Sequence, residues 1–176
     1  MSGESLRFVT EQGIHLNYCL ALFLSRGSRR RREAAMASIG NPRDFLIITN
    51  NPLVVSCMEG KVLFTIDFRP ELSYRDILVK VRDMVYAGHK LYTHPLAGSV
   101  KPNETPYKSV VVSVEPHGLD MMEAEIISNA IGVYDKFKPI GWQLSERHHK
   151  DFQLIDYTLL AGAVNFDAEA GLSNKK

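Results

Sequence analysis

Ser109-Val-Val-Val-Ser-Val114 is the segment that most constrains what this 176-residue chain can fold into. A β-branched run without polar alternation reads as a strand buried inside a sheet. Two further strand candidates precede it. Asp44-Phe-Leu-Ile-Ile-Thr49 is short and apolar, and it stops at the turn signal Asn50-Asn51-Pro52. Val62-Leu-Phe-Thr-Ile-Asp67 follows Gly60, and Pro70 closes that stretch. Leu53–Met58, between the two, reads as a short helix or an extended segment.

Helical periodicity fills the intervals. Tyr74, Ile77, Leu78, Val81, Met84 and Val85 recur on one face. Ser73 is placed to cap that helix, with Asp76 near its N-terminus, and Gly88 suits the left-handed position past its end. Asp120 and Glu123 form a capping-box-like pair ahead of Ile126, Ile127, Ala130, Ile131 and Tyr134. A last helix is expected over Lys150–Ala163, with Phe152, Ile155, Leu159 and Ala163 toward the core. Strands alternating with helices predict a small single α/β domain with a short, mostly parallel sheet and Rossmann-like layering.

The expected organisation has three parts. Residues 1–40 are an N-terminal extension, 41–166 the α/β domain and 167–176 a polar tail. Ile14–Leu24 is apolar but short for a membrane span, and Arg26 and Arg29–Arg32 follow it, whereas a signal peptide carries its basic residues first. The segment reads as an extension or an over-called translation start, with Met36 as initiator. No membrane association is expected. A formal net charge of +1 gives no electrostatic reason to expect nucleic acid. Cys19 and Cys57 have neither metal-site spacing nor a disulfide framework, which fits a reducing cytoplasm.

Function concentrates in Gly88–Lys108, GHKLYTHPLAGSVKPNETPYK. A long polar connection inside a compact domain is usually functional or disordered, and Leu91, Tyr92, Leu96, Val100 and Tyr107 can anchor this one. Lys90, Lys101 and Lys108 supply positive charge and Gly98-Ser99 can present backbone N–H groups, so a small anion is one candidate ligand; the other reading is solvated lysines on a surface loop stiffened by its prolines. The spacing is not that of a Walker phosphate loop. His89, His94 and Glu104 are metal-ligand types without a metal motif, and neither a metal nor another cofactor is expected. The same three residues are the candidate catalytic groups, His94 or His89 moving a proton and Glu104 orienting it. Ser99 and Thr105 lack the context of an activated nucleophile.

Ligands of α/β sheets collect at the carboxyl ends of strands. Thr49-Asn50-Asn51 lies at such an end, but the long segment enters its strand at the amino end. In a parallel sheet it has to fold back to join Asn50 and Asn51. The candidate ligand contacts are Asn50, Asn51, Lys90, Thr93, His94, Ser99, Lys101, Asn103, Glu104, Thr105 and Lys108.

Ile47-Ile48-Thr49-Asn50-Asn51-Pro52, Val81-Arg82-Asp83, Gly88-His89-Lys90-Leu91 and the block Thr93–Ser109 together resemble the GrdX family. The resemblance runs from about Phe45 to the last helix, and residues before Met36 fall outside it. It implies a small bacterial protein encoded beside components of glycine, sarcosine or betaine reductase, the selenoenzyme systems of amino-acid fermentation in anaerobes that yield acetyl phosphate. The function it implies is an accessory or regulatory one, with reductase components or a small anionic ligand as partner. The alternative is a small enzyme acting on a carboxylate or acyl-phosphate intermediate. The family supplies no catalytic residue to carry over, and the chain lacks the Cys-x-x-Cys pair of the reductase subunits.

Overall fold

The structure, a computed structural model, describes residues 42–60, 64–98, 100–138 and 143–164. A 3-10 turn, Pro42–Asp44, leads into β1 (Phe45–Thr49), followed by α1 (Pro52–Met58), β2 (Thr65–Phe68), α2 (Tyr74–Tyr86), β3 (His89–Leu91), β4 (Ser109–Pro116), α3 (Met121–Tyr134) and α4 (Glu146–Ala163). The strands form one sheet in the order β2-β1-β4-β3. The α/β class expected from the sequence holds.

The sheet is mixed, which corrects the expectation of a mostly parallel one. β1 pairs parallel with β2, while β4 runs antiparallel to both β1 and β3. Parallel neighbours need a crossover connection, usually a helix, and antiparallel neighbours do not. α1 supplies a crossover between β1 and β2. Among its described residues the connection from β3 to β4 contains no helix, so the alternation of strand and helix breaks there. The reversal has a geometric consequence. Thr49, the last residue of β1, pairs with Ser109, the first of β4. The long connection therefore ends beside Asn50 and Asn51 without folding back.

Alternate residues of the central strands feed two cores, one on each face of the sheet. Ile48, Val110 and Val112 meet α2 and α3 through Ile77, Leu78, Val81, Val85 and Ile127. Phe45, Ile47 and Val111 meet α1 and α4 through Val54, Cys57, Met58, Tyr157 and Leu160. Each large aliphatic side chain so buried contributes about 1.5–3 kcal/mol of transfer free energy. Cys57 is a buried free thiol; Cys19 and the N-terminal apolar run lie outside the described residues. Among the described residues no helix is long and apolar enough to cross a membrane.

Local signals explain most boundaries. Asn51 caps α1, its side chain accepting from the Leu53 N–H, with Pro52 in the first turn. Ser73 and Asp76 make a reciprocal capping box on α2. Gly88 follows α2 at φ +98, and a Cβ there would lie 3.1 Å from the Gly118 nitrogen, so only glycine suits the position. Asp120 caps α3 through the Met122 and Glu123 N–H groups. Glu123 does not reach back to complete a capping box. Its carboxylate accepts the Leu91 N–H of β3 at 2.8 Å, tying helix to strand.

Two further expectations shift. The segment Gly88–Lys108 is not one loop, because His89–Leu91 forms β3. α4 begins at Glu146, capped by Ser145, and buries Asp156, Tyr157, Leu160 and Ala161. The predicted apolar stripe lies beside that face, and Ile155 is 38% exposed. A buried aspartate at the centre of the packed face is what defeats a hydrophobicity reading.

Candidate functional site

The carboxyl end of β1 and the amino end of β4 meet in a dense polar cluster. Asn50 spends its side chain on the backbone: its amide donates to the Leu72 and Pro106 carbonyls at 3.0 and 2.8 Å, and its carbonyl accepts the Lys108 N–H at 2.8 Å. An asparagine used in this way fixes where the connection rejoins the sheet. Asn51 does the same for α4. Besides capping α1, it donates to the Gln153 carbonyl and to an Asp156 oxygen, both at 2.9 Å.

Asp156 gathers the remaining donors. It accepts the Ser109 N–H at 2.9 Å and the Ser109 hydroxyl at 2.7 Å, along with Asn51. The Thr49 and Ser109 hydroxyls lie 2.7 Å apart, and Thr49 Oγ1 accepts the Asn51 N–H at 2.9 Å. Thr49, Asn51, Ser109 and Asp156 are all buried. A buried carboxylate is tolerable only with such a set of donors.

Lys108 lies next to this cluster and is only 5% exposed. Its ammonium donates to the Ala97 carbonyl at 3.1 Å and sits 5.9 Å from the centre of the Tyr74 ring. Burial pushes the Lys108 pKa below the ordinary lysine value, and the Asp156 carboxylate partly offsets that. Burial, aided by Asp156 and Tyr134, holds the Tyr74 phenol firmly protonated. Lys108 and Asp156 line a narrow cleft with Tyr74, Ala97, Gly98, Tyr107 and the α4 residues Phe152, Ile155 and Leu159. The apolar stripe expected to face the core thus forms one wall of the cleft. The cleft has room for little more than a water molecule.

The connection is fastened over this cleft at several points. The Tyr107 hydroxyl accepts from the Gln153 amide at 2.9 Å and lies 3.0 Å from His149 Nδ1. His148, its sequence neighbour, turns instead to Ser145 at the helix start. Thr93 Oγ1 accepts the Val111 N–H at 2.9 Å, continuing the sheet edge. The Thr105 hydroxyl closes a local turn with Tyr107. Asn103 donates to the Lys138 carbonyl at 2.7 Å, leaving its own buried oxygen without a partner among the described residues.

The three candidate catalytic residues are not brought together. His89 Nδ1 faces the Ser113 carbonyl at 2.8 Å, so that nitrogen carries the proton. His89 also pairs with Pro116, at the far end of β4 from Lys108. His94 lies near the cleft. Its Nδ1 accepts the Leu96 N–H at 3.1 Å, and desolvation together with the Lys108 charge holds its pKa below the usual histidine value. Glu104 is turned outward toward Lys101, with both side chains exposed and 3.7 Å apart. Lys90 is exposed on β3, where its N–H donates to Ser113 Oγ. Ser99 lies outside the described residues. Among the described residues no group of three or more His, Cys, Asp or Glu side chains is placed to hold a metal ion.

Sequence reasoning missed Asp156, Gln153 and the Tyr107–His149 contact. One signal was available for Asp156, which interrupts the apolar residues of a helix and so demands buried partners.

No curated protein and no solved structure matches the chain. The family model described as GrdX-like protein matches residues 46–165, which takes in β1 through α4 and the whole polar cluster. On that match over more than half its length, the chain belongs to the GrdX-like family.

Proposed function

We propose that this protein is an accessory or regulatory component of the glycine, sarcosine or betaine reductase system, working in the cytoplasm of amino-acid-fermenting anaerobes. Its ligand or partner site is the cleft where the connection 92–108 crosses α4, with Lys108 at its base. The family match carries the reading of the system. The buried Lys108 ammonium beside an open-sided cleft supports the position of the site. In this reading Asn50, Asn51, Thr93 and Thr105 hold the connection in place. Lys101, Asn103 and Glu104 shape its outer surface, and His94 borders the cleft.

Pull-down with purified reductase components, using the full chain and a Lys108→Met variant, tests the proposal. Capture by the wild-type chain that weakens in the variant is the expected result. Failure of the wild-type chain to bind any component, with or without glycine, sarcosine, betaine or acetyl phosphate, counts against it.

The alternative, a small enzyme acting on a carboxylate or acyl-phosphate intermediate, draws on one observation. His94 is close enough to Lys108 for their charges to interact, and its lowered pKa leaves a neutral imidazole at physiological pH. A His94→Ala variant with undiminished function in the pathway removes the proton-transfer step this alternative requires.

A further inference from the structure

A lysine ammonium has three N–H donors and no acceptor. At Lys108 one N–H meets the Ala97 carbonyl, a neutral group, and the Tyr74 ring face lies nearby. A carboxylate is a stronger partner for a buried ammonium than an amide carbonyl is, because both groups carry charge. The Ala97 carbonyl also belongs to the peptide that precedes a glycine. It leads into Gly98, which sits at φ +140, a conformation open to glycine and strained for other residues. The rest of the turn is better anchored, since Pro95 is buried and Leu96 packs against the core. Rotation of the Ala97–Gly98 peptide alone withdraws the carbonyl from Lys108.

We propose that a small monocarboxylate binds the Lys108 ammonium in place of the Ala97 carbonyl, the Ala97–Gly98 peptide turning aside to admit it. This deepens the ligand reading given above and rests on it for the location of the site. Two features select the ligand class. Asp156 lines the same cleft, and its negative charge disfavours a dianion such as hydrogen phosphate. Apart from Thr105, the other side chains of the walls, among them Tyr74, Tyr107, Phe152 and Leu159, are aromatic or aliphatic and suit a short organic tail more than further charge. Carboxylate binding and loop geometry are then linked, so that a bound ligand reports itself on the outer surface of the 94–98 turn.

Nuclear magnetic resonance on the isotope-labelled full chain tests this. Amide signals of Ala97 and Gly98 and the ε-methylene signals of Lys108 are followed while sodium acetate replaces sodium chloride at constant ionic strength. Sodium phosphate is run in parallel. Saturable shifts of all three groups with acetate are expected, with a Kd weakened at least about tenfold by Lys108→Met. Gly98→Ala strains the closed turn, both through φ and because the new methyl meets Leu159 Cδ1 at 3.2 Å, so acetate is expected to bind it more tightly. Shifts that grow linearly without saturating, that are matched by phosphate, or that persist in a folded Lys108→Met variant overturn the proposal. Should that variant fail to fold, unmoved ε-methylene signals in the wild-type chain overturn it equally well. Reductase capture by a chain that shows no acetate response rejects the carboxylate site while leaving the accessory function standing.

Discussion

The two faces of the sheet are stabilised by different means. Against α2 and α3 the packing is almost wholly apolar, with Ile77, Leu78, Val81 and Ile127 fully buried and Glu123 at the rim. Against α1 and α4 an apolar cluster of similar kind ends in Thr49, Asn51, Ser109 and Asp156. The first face gains from area removed from water, which is tolerant of exchange among side chains of similar volume. The second adds matched donors and acceptors, which tolerate little change because each lost partner leaves another group unsatisfied. The charged cleft lies where the faces meet, between Tyr74 of α2 and Phe152, Ile155 and Leu159 of α4, beside the polar groups that are fixed to each other.

Removing the centre of the polar face should break this contrast most severely. Asp156→Ala strands the Ser109 N–H and hydroxyl and the Asn51 amide, and takes a countercharge from Lys108. The expected loss is about 3–5 kcal/mol by denaturant titration. Faster hydrogen exchange at the Lys108 amide, bonded to Asn50, should accompany it at denaturant concentrations well below the midpoint. Ile127→Ala is the counterpart on the apolar face, expected to cost about 2–4 kcal/mol and to leave Lys108 exchange protected until global unfolding. Equal deprotection in both variants would show that the two faces are not separable in this way.

Gly88→Ala probes the junction between α2 and β3. A positive φ and a Gly118 backbone 3.1 Å from the new methyl predict a loss of about 1–3 kcal/mol, read as a lowered Tm. The smallest effects come from pH, and a group near the cleft and a group on the α2–α3 face should respond with opposite sign. His94, on the cleft side, has a folded pKa below its unfolded value of 6.5. Its contribution is complete above that value and is lost as pH falls toward the folded pKa. Glu123, on the α2–α3 side, is raised by burial above its unfolded value of 4.5 despite the Leu91 N–H. Its contribution is present below 4.5 and is lost as pH rises through the folded pKa. Stability profiles of His94→Gln and Glu123→Gln should flatten on the acid side of neutrality in the two opposite senses, and matching slopes would refute the assignment.

Much of this layout was legible in the sequence because its signals are local. The β-branched runs at 45–49 and 109–114, the Ser73–Asp76 cap and the Gly88 stop each act within a few residues, and each appears where expected. Strand direction was not legible, because it depends on the connection from β3 to β4, whose lack of a helix among its described residues broke the alternation of elements. The polar cluster was half legible. Asn50, Asn51 and Lys108 stood out as polar residues at strand ends, yet the bonds that join Asn50 to Pro106 and Lys108, and Asn51 to Asp156, span 56 to 105 residues. Asp156 showed only as a break in an apolar helical pattern, and its partners stayed hidden for the same reason: its donors come from β4 and from the turn after β1, and neither is near it in sequence.

The pairing of Thr49 with Ser109 also orders events in time. Those residues are 60 apart, and Asp156 lies 47 residues beyond Ser109. Closing such separations is entropically costly, so contacts of this kind form late on the way to the native state. The cleft is then one of the last parts of the molecule to exist. A chain still emerging from the ribosome has no Lys108–Asp156 neighbourhood until α4 has been made and docked. Recognition through that cleft, as proposed above, would therefore double as a check that the whole domain has been synthesised and folded.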